Sequence, residues 1–307
     1  MSTISAASSR AASVSLIIAG VLWGTGGLAG AVLSERAGLS AVAVAVCRLA
    51  LGGVFAVLLL GGTGGLRSLS RTGVVVRRLL VAGVLLALYQ ACYFAAVALT
   101  SVSVATMTTI GSVPVFVALA SSVLERRVPD VVTVTSVVFA VLGLVLLTWS
   151  PGDVPAGGKL GLGLACALVS GAGFAALTLV TRDPVEGLDP LSTTAFGCLV
   201  GAVLLLPLLA LSSVSSGDPL WPPRIDVLVV AVYLGAVPTA LAYGAYFRGL
   251  AASRPVVAAL SALLEPLTAA VLAALFLGDD LGLVGWCGAA LLIGAVATGY
   301  VRPPVAR

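Results

Sequence analysis

Histidine is absent from this chain of 307 residues, and lysine occurs once, at Lys159. Imidazole catalysis and imidazole metal binding are therefore excluded. No clustered carboxylates offer a metal site, and no GxxxxGK[ST] loop exists to cradle nucleotide phosphates, so the chain carries no ATP-hydrolysing unit of its own. The five cysteines, Cys47, Cys92, Cys166, Cys198 and Cys287, form no CxxC pair and fall in apolar stretches, where thiols are expected as buried hydrophobes. Charge is scarcest of all: 9% of residues are charged and 60% are hydrophobic, against about 25% charged in soluble domains. Mean hydropathy is +1.19. A soluble enzyme of this size needs more polar surface, and an outer-membrane barrel needs strict alternation. The fold class that remains is an all-α polytopic membrane protein. No cofactor, metal or nucleic-acid partner is expected.

The sparse charges divide the chain into pieces of about 20 residues, the length that crosses a bilayer. Ten spans result: 11–34, 37–66, two within 79–124 separated at Thr100-Ser101-Val102-Ser103, 131–152, 160–181, 190–217, 227–247, 255–278 and 281–301. Only Arg48 and Glu265 put a charge deep inside a span. With the N-terminus in the cytoplasm, Arg10, Arg67, Arg71, Arg77, Arg78, Arg126, Arg127, Arg182, Arg248, Arg254, Arg302 and Arg307 all lie inside. Arg36, Lys159 and Arg224 are left outside. That asymmetry predicts cytoplasmic termini, and Trp149, Trp221 and Trp286 then fall at the outer boundary, as an aromatic belt would.

The two halves echo each other. Gly24 in the first span corresponds to Gly171 in the sixth. Tyr93-Phe94 corresponds to Tyr246-Phe247, Pro114 to Pro266, and Leu124-Glu125-Arg126-Arg127 to Leu277-Gly278-Asp279-Asp280. The expected units are 11–152 and 160–301 within one membrane domain, 1–307. Five spans per unit invert the second unit relative to the first, the arrangement that gives a carrier two related states.

Trp23-Gly24, Cys47-Arg48-Leu49-Ala50, the run from Tyr93 to Ser103 and Leu264-Glu265-Pro266-Leu267 followed by Gly278-Asp279-Asp280-Leu281 resemble EamA-type exporters of the drug/metabolite transporter superfamily. Asp279 stands where that family commonly has Glu, and Glu125 lacks the preceding glycine. The resemblance implies ten helices, cytoplasmic termini in a bacterial inner (plasma) membrane, a cavity between the halves, and efflux of small metabolites, amino-acid-like or drug-like. Import, uncoupled facilitation and a non-transporting sensor or assembly role are the alternatives. An enzyme is not expected, because a single buried acid leaves no acid–base pair.

Arg48 lies roughly 15 Å deep, where an arginine costs about 2.5–3.5 kcal/mol. It reads either as an anchor for a substrate carboxylate or as a structural tie. The resemblance puts its helix outside the cavity-lining set, which favours the tie. Glu265 reads as a partner of Arg48, a binder of substrate ammonium, or the carrier of a coupling proton. Pro114 and Pro266 remove a backbone donor in mid-span, releasing the carbonyls of Ile110 and Ala262; they are candidate hinges or static kinks. Trp23, Tyr89, Gln90, Tyr93, Thr106, Ser170, Tyr243, Tyr246 and Ser261 are the candidate substrate-binding residues at mid-depth, with Thr109 and Thr194 as further hydroxyls. Packing between helices is the competing use of each.

Overall fold

A computed structural model describes residues 2–148, 159–216, 225–276 and 281–301. Ten helices in it are long and apolar enough to cross a membrane. They are α1 (Ser2–Ala37), α2 (Ala41–Thr63), α3 (Gly73–Leu99), α4 (Val102–Glu125), α5 (Val131–Thr148), α6 (Leu160–Thr181), α7 (Pro190–Ser216), α8, α9 and α10 (Gly282–Val301). α8 comprises Ile225–Gly235, a π-helical turn Ala236–Leu241, and Ala242–Ala251; α9 comprises Pro255–Ala262 and Leu264–Phe276. A one-turn helix, Gly65–Ser68, follows α2. Large aliphatics such as Leu58, Leu142 and Val203 are exposed around the bundle, the surface that hydrocarbon chains would cover.

Local chemistry sets the boundaries. Ser40 and Thr72 accept hydrogen bonds from the backbone N–H of Ala43 and Val75, capping α2 and α3. Ser101 caps α4 in the same way, so the expected Thr100–Ser103 division is a tight turn with α4 starting at Val102. α3 begins six residues before the first uncharged position, because Arg77 and Arg78 belong to its opening turns, where long arginine side chains reach back to the interface. The expectation that all the cysteines are buried fails: Cys47 and Cys198 are, Cys92 and Cys166 are half-buried, and Cys287 is exposed on α10. Trp286 is exposed near the start of α10, whereas Trp149, Trp221 and the 277–280 motif lie outside the described residues.

The helices pack as an exchange between halves. A Cβ on Gly24 of α1 would lie 2.7 Å from the Glu265 carbonyl of α9, and one on Gly171 of α6 would lie 2.7 Å from the Thr109 carbonyl of α4. The first helix of each half is thus pressed against the fourth helix of the other, at the paired glycines. α5 and α10 meet reciprocally through Gly143 and Gly288, where an added Cβ would come within 2.8 and 2.6 Å of the opposite carbonyl. Such small-residue contacts bring backbones together where burial of apolar surface between helices gives no gain over lipid. The fold is ten spans in two five-helix halves, and an odd number of spans per half inverts the second repeat relative to the first.

Two interruptions distinguish the second half. Pro238 cannot donate to Leu234, and the hydroxyl of Thr239 donates to the Leu234 carbonyl instead, at 2.8 Å. The chain widens into a π-turn there, a common answer to a lost helical donor. In α9, Pro266 cannot donate to Ala262, and the helix breaks at Leu263, whose N–H turns back to the Leu260 carbonyl at 3.1 Å. α9 is therefore two segments rather than the expected single one. Pro114, by contrast, sits inside an unbroken α4.

Candidate functional site

A narrow cavity lies among the helices at mid-depth. Trp23 of α1, Arg48 of α2, Tyr89 of α3, Tyr243 of α8 and Glu265 of α9 supply its polar lining, and Ile110, Val113, Phe174 and Ala262 its apolar lining. The placement of Arg48 corrects the expectation that its helix stands outside the cavity. Its depth and position on α2 bring it to the wall that α8 and α9 share.

Arg48 and Glu265, both half-buried, line the same cavity. Neither Arg48 nor Glu265 makes a hydrogen bond, or an ion pair within 4.0 Å, among the described residues. The Nε of Arg48 and the Nε1 of Trp23 are both buried donors without a partner. A buried donor left unpaired costs about 1–3 kcal/mol, and both belong to residues that line the cavity. Ile110 and Ala262, whose carbonyls the two prolines cannot reach, also line the cavity, one from each half. The cavity thus offers donors, a positive charge and a carboxylate among apolar walls.

An aromatic cluster frames it. Trp23 packs edge-on to Tyr243 at 5.1 Å and to Phe174 at 6.0 Å, and lies 5.0 Å from Tyr246. Tyr89 lies 5.3 Å from Phe174 and stacks with Tyr93 at 6.5 Å. The remaining candidates do not line the cavity. Tyr93 and Thr106 share a 2.8 Å hydrogen bond between α3 and α4. Tyr246 is fully buried and shares a 2.7 Å bond with Thr178 of α6. Ser170 donates to the Tyr89 carbonyl at 2.8 Å, tying α6 to α3 at the level of the cavity. Ser261 donates to the Val257 carbonyl and is paired with the Tyr300 hydroxyl. Thr109 donates to the Ala167 carbonyl and Thr194 to the Pro190 carbonyl. Gln90 is buried with its amide nitrogen unpartnered.

Phe174 and Val113 were not singled out by sequence, and Ile110 and Ala262 were read only as the carbonyls that Pro114 and Pro266 release. For Ile110 and Ala262 a signal existed, since each lies four residues before a mid-span proline. Phe174 and Val113 have none, because an apolar side chain facing a cavity and one facing lipid look alike in sequence.

Ten spans, two inverted halves and a mid-depth cavity holding both signs of charge define the class: a membrane transporter. The profile of the EamA-like transporter family matches residues 10–149 and 161–299, one match in each half, and the chain belongs to that family. It is similar to an uncharacterized transporter, YwfM, of Bacillus subtilis, with 31% identity over 283 residues, 92% of this chain and 90% of the relative. An uncharacterized transporter of Archaeoglobus fulgidus is 26% identical over 206 residues, 67% of this chain and 70% of the relative. A solved crystal structure superposes with a TM-score of 0.76 at 19% identity, covering 94% of this chain and 96% of that one, which shows the shared fold. The family is one of transporters, not enzymes.

Proposed function

We propose that the protein is a secondary carrier that exports a small, amino-acid-like or drug-like metabolite from the bacterial cytoplasm. It works by alternating access around the cavity between its two repeats, 11–152 and 160–301. Both termini face the cytoplasm in this reading, because the arginine-rich ends of the helices lie on one side. The observation that carries the reading is that Arg48 and Glu265 line one cavity without an ion pair within 4.0 Å, while the Nε of Arg48 and the Nε1 of Trp23 are buried donors without a partner. A dipolar solute fits that pattern. Its carboxylate meets the guanidinium and the indole N–H, and its ammonium meets Glu265 and the carbonyls of Ile110 and Ala262. The aliphatic and aromatic walls take an apolar side chain.

Energy comes from a gradient in this scheme, and Glu265 is the coupling candidate: an intramembrane carboxyl is neutral with a proton and charged without one. The test is transport in proteoliposomes loaded with labelled amino acids, with and without an imposed pH gradient. Flux that follows the gradient in the wild type and loses that dependence in Glu265→Gln, while exchange persists, supports coupling at Glu265. Gradient-independent flux in the wild type identifies a facilitator, and accumulation against the expected direction identifies an importer.

A further inference from the structure

A second cleft opens on the arginine-rich face of the bundle, with Arg78, Thr181, Asp183, Thr193, Phe247 and Ala251 among its walls. It shares no residue with the central cavity. The two are nevertheless connected by three helices, each of which sends one stripe of residues from cavity to cleft. On α6 the stripe is Phe174, Thr178, Thr181; on α8 it is Tyr243, Phe247, Ala251; on α3 it is Tyr89, Leu85, Ala82, Arg78. The first residue of each stripe lines the cavity and the last lines the cleft. At 1.5 Å per residue the separations are roughly 10, 12 and 16 Å, and spacings of three and four keep each stripe on one helical face.

What stands between is aromatic. Tyr243 stacks on Phe247 with centroids 6.0 Å apart, and Phe247 meets Tyr246 edge-on at 5.7 Å. All three rings are buried. Tyr246 is pinned to α6 through Thr178, so the layer is anchored on both helices. Two ties between the halves also lie at this end of the bundle. Arg182 at the end of α6 pairs with Glu125 at the end of α4 at 3.6 Å. The N–H of Ser70, before α3, donates to the Gly187 carbonyl in the α6–α7 connection at 2.9 Å. Both ties join one half to the other, as contacts that close one face of an alternating carrier must.

We propose that this cleft is the vestibule through which solute passes between the arginine-rich face and the central cavity, and that the layer Tyr243–Tyr246–Phe247 is the barrier between them. Arg78 and Asp183 both line the cleft, and Asp183 is paired with Arg182 at 3.3 Å. The inference rests on the cavity being the transport site, but its test reads access and needs no known solute.

The five native cysteines are replaced by alanine or serine, and one reporter is introduced at a time: Ile110→Cys in the cavity or Ala251→Cys in the cleft. A membrane-impermeant methanethiosulfonate is applied to sealed vesicles of each orientation. Ala251→Cys is expected to react from the arginine-rich face alone. Ile110→Cys is expected to react from that face at least ten times faster once Phe247→Ala is added, with its rate from the opposite face unchanged. Phe247→Leu, which keeps the core filled, gives a smaller increase and serves if the alanine variant does not fold. Unchanged labelling of Ile110→Cys in the folded Phe247 variants overturns the barrier, and reaction of Ala251→Cys from the opposite face overturns the vestibule. Loss of transport with the expected labelling pattern would count against the function proposed above and leave this route standing.

Discussion

Arg48→Gln separates a binding arginine from a structural one, because the two roles predict opposite balances of stability and affinity. The guanidinium makes no hydrogen bond or ion pair among the described residues, and its Nε is buried without a partner. Removing it breaks no hydrogen bond or ion pair, gives up only a longer-range attraction to Glu265, and relieves part of the roughly 2.5–3.5 kcal/mol cost of a mid-membrane arginine. The apparent melting temperature in detergent is expected to stay within about 2 °C of wild type, or to rise. A structural tie predicts the reverse: stripping one partner from a buried ion pair costs about 3–5 kcal/mol. Affinity moves the other way. A charge-assisted hydrogen bond contributes about 1.5–3 kcal/mol, so loss of the carboxylate contact weakens binding about 10- to 150-fold. The assay is competition for counterflow in proteoliposomes by matched solutes with and without a carboxylate. The carboxylate-bearing solute is expected to lose affinity by that factor and the decarboxylated one to lose little. Equal losses for both, or a large fall in melting temperature, would refute the reasoning.

Other expectations follow from the same contacts. Gly171→Val places side-chain atoms against Ser112 and the Thr109 carbonyl; overpacking of this kind costs about 1–3 kcal/mol, to be read as a lowered melting temperature in detergent. Thr239→Val removes the only side-chain bond to the Leu234 carbonyl given among the described residues and is expected to cost about 1 kcal/mol, with hydrogen exchange rising locally around residues 234–241. Reporter fusions at either terminus are expected to show a cytoplasmic location, and an exported C-terminus would reverse the arginine argument.

Much of the fold was legible because a bilayer punishes charge so heavily. The gaps between arginines located all ten spans, and the errors fell where arginines sit within a helix end, as Arg77 and Arg78 do in α3. The echo between halves pointed to Gly24 and Gly171, and both occupy close cross-half contacts. The π-turn at Pro238 and the break at Leu263 were not read, since a proline marks a lost donor without saying how the backbone reorganises. In the cavity, Trp23, Tyr89, Tyr243, Arg48 and Glu265 stood out because polar or indole groups at mid-depth are rare. Hydroxyls were poor guides: Ser170, Ser261 and Thr106 bond to backbone or to tyrosine instead, the local use of such groups in membrane helices. Arg48 was misplaced because a likeness of sequence ranks helices by family habit, whereas depth and charge depend on this chain's own packing.

The central claim is that one cavity, with Arg48 and Glu265 apart, binds and moves a small dipolar solute. Counterflow of labelled amino acids in proteoliposomes, comparing wild type with Arg48→Gln and Glu265→Gln under an imposed pH gradient, tests it most directly. The account predicts gradient-driven flux in the wild type, weakened solute affinity in Arg48→Gln, and exchange without gradient dependence in Glu265→Gln. Wild-type flux left unaltered in affinity and gradient dependence by both substitutions would contradict it.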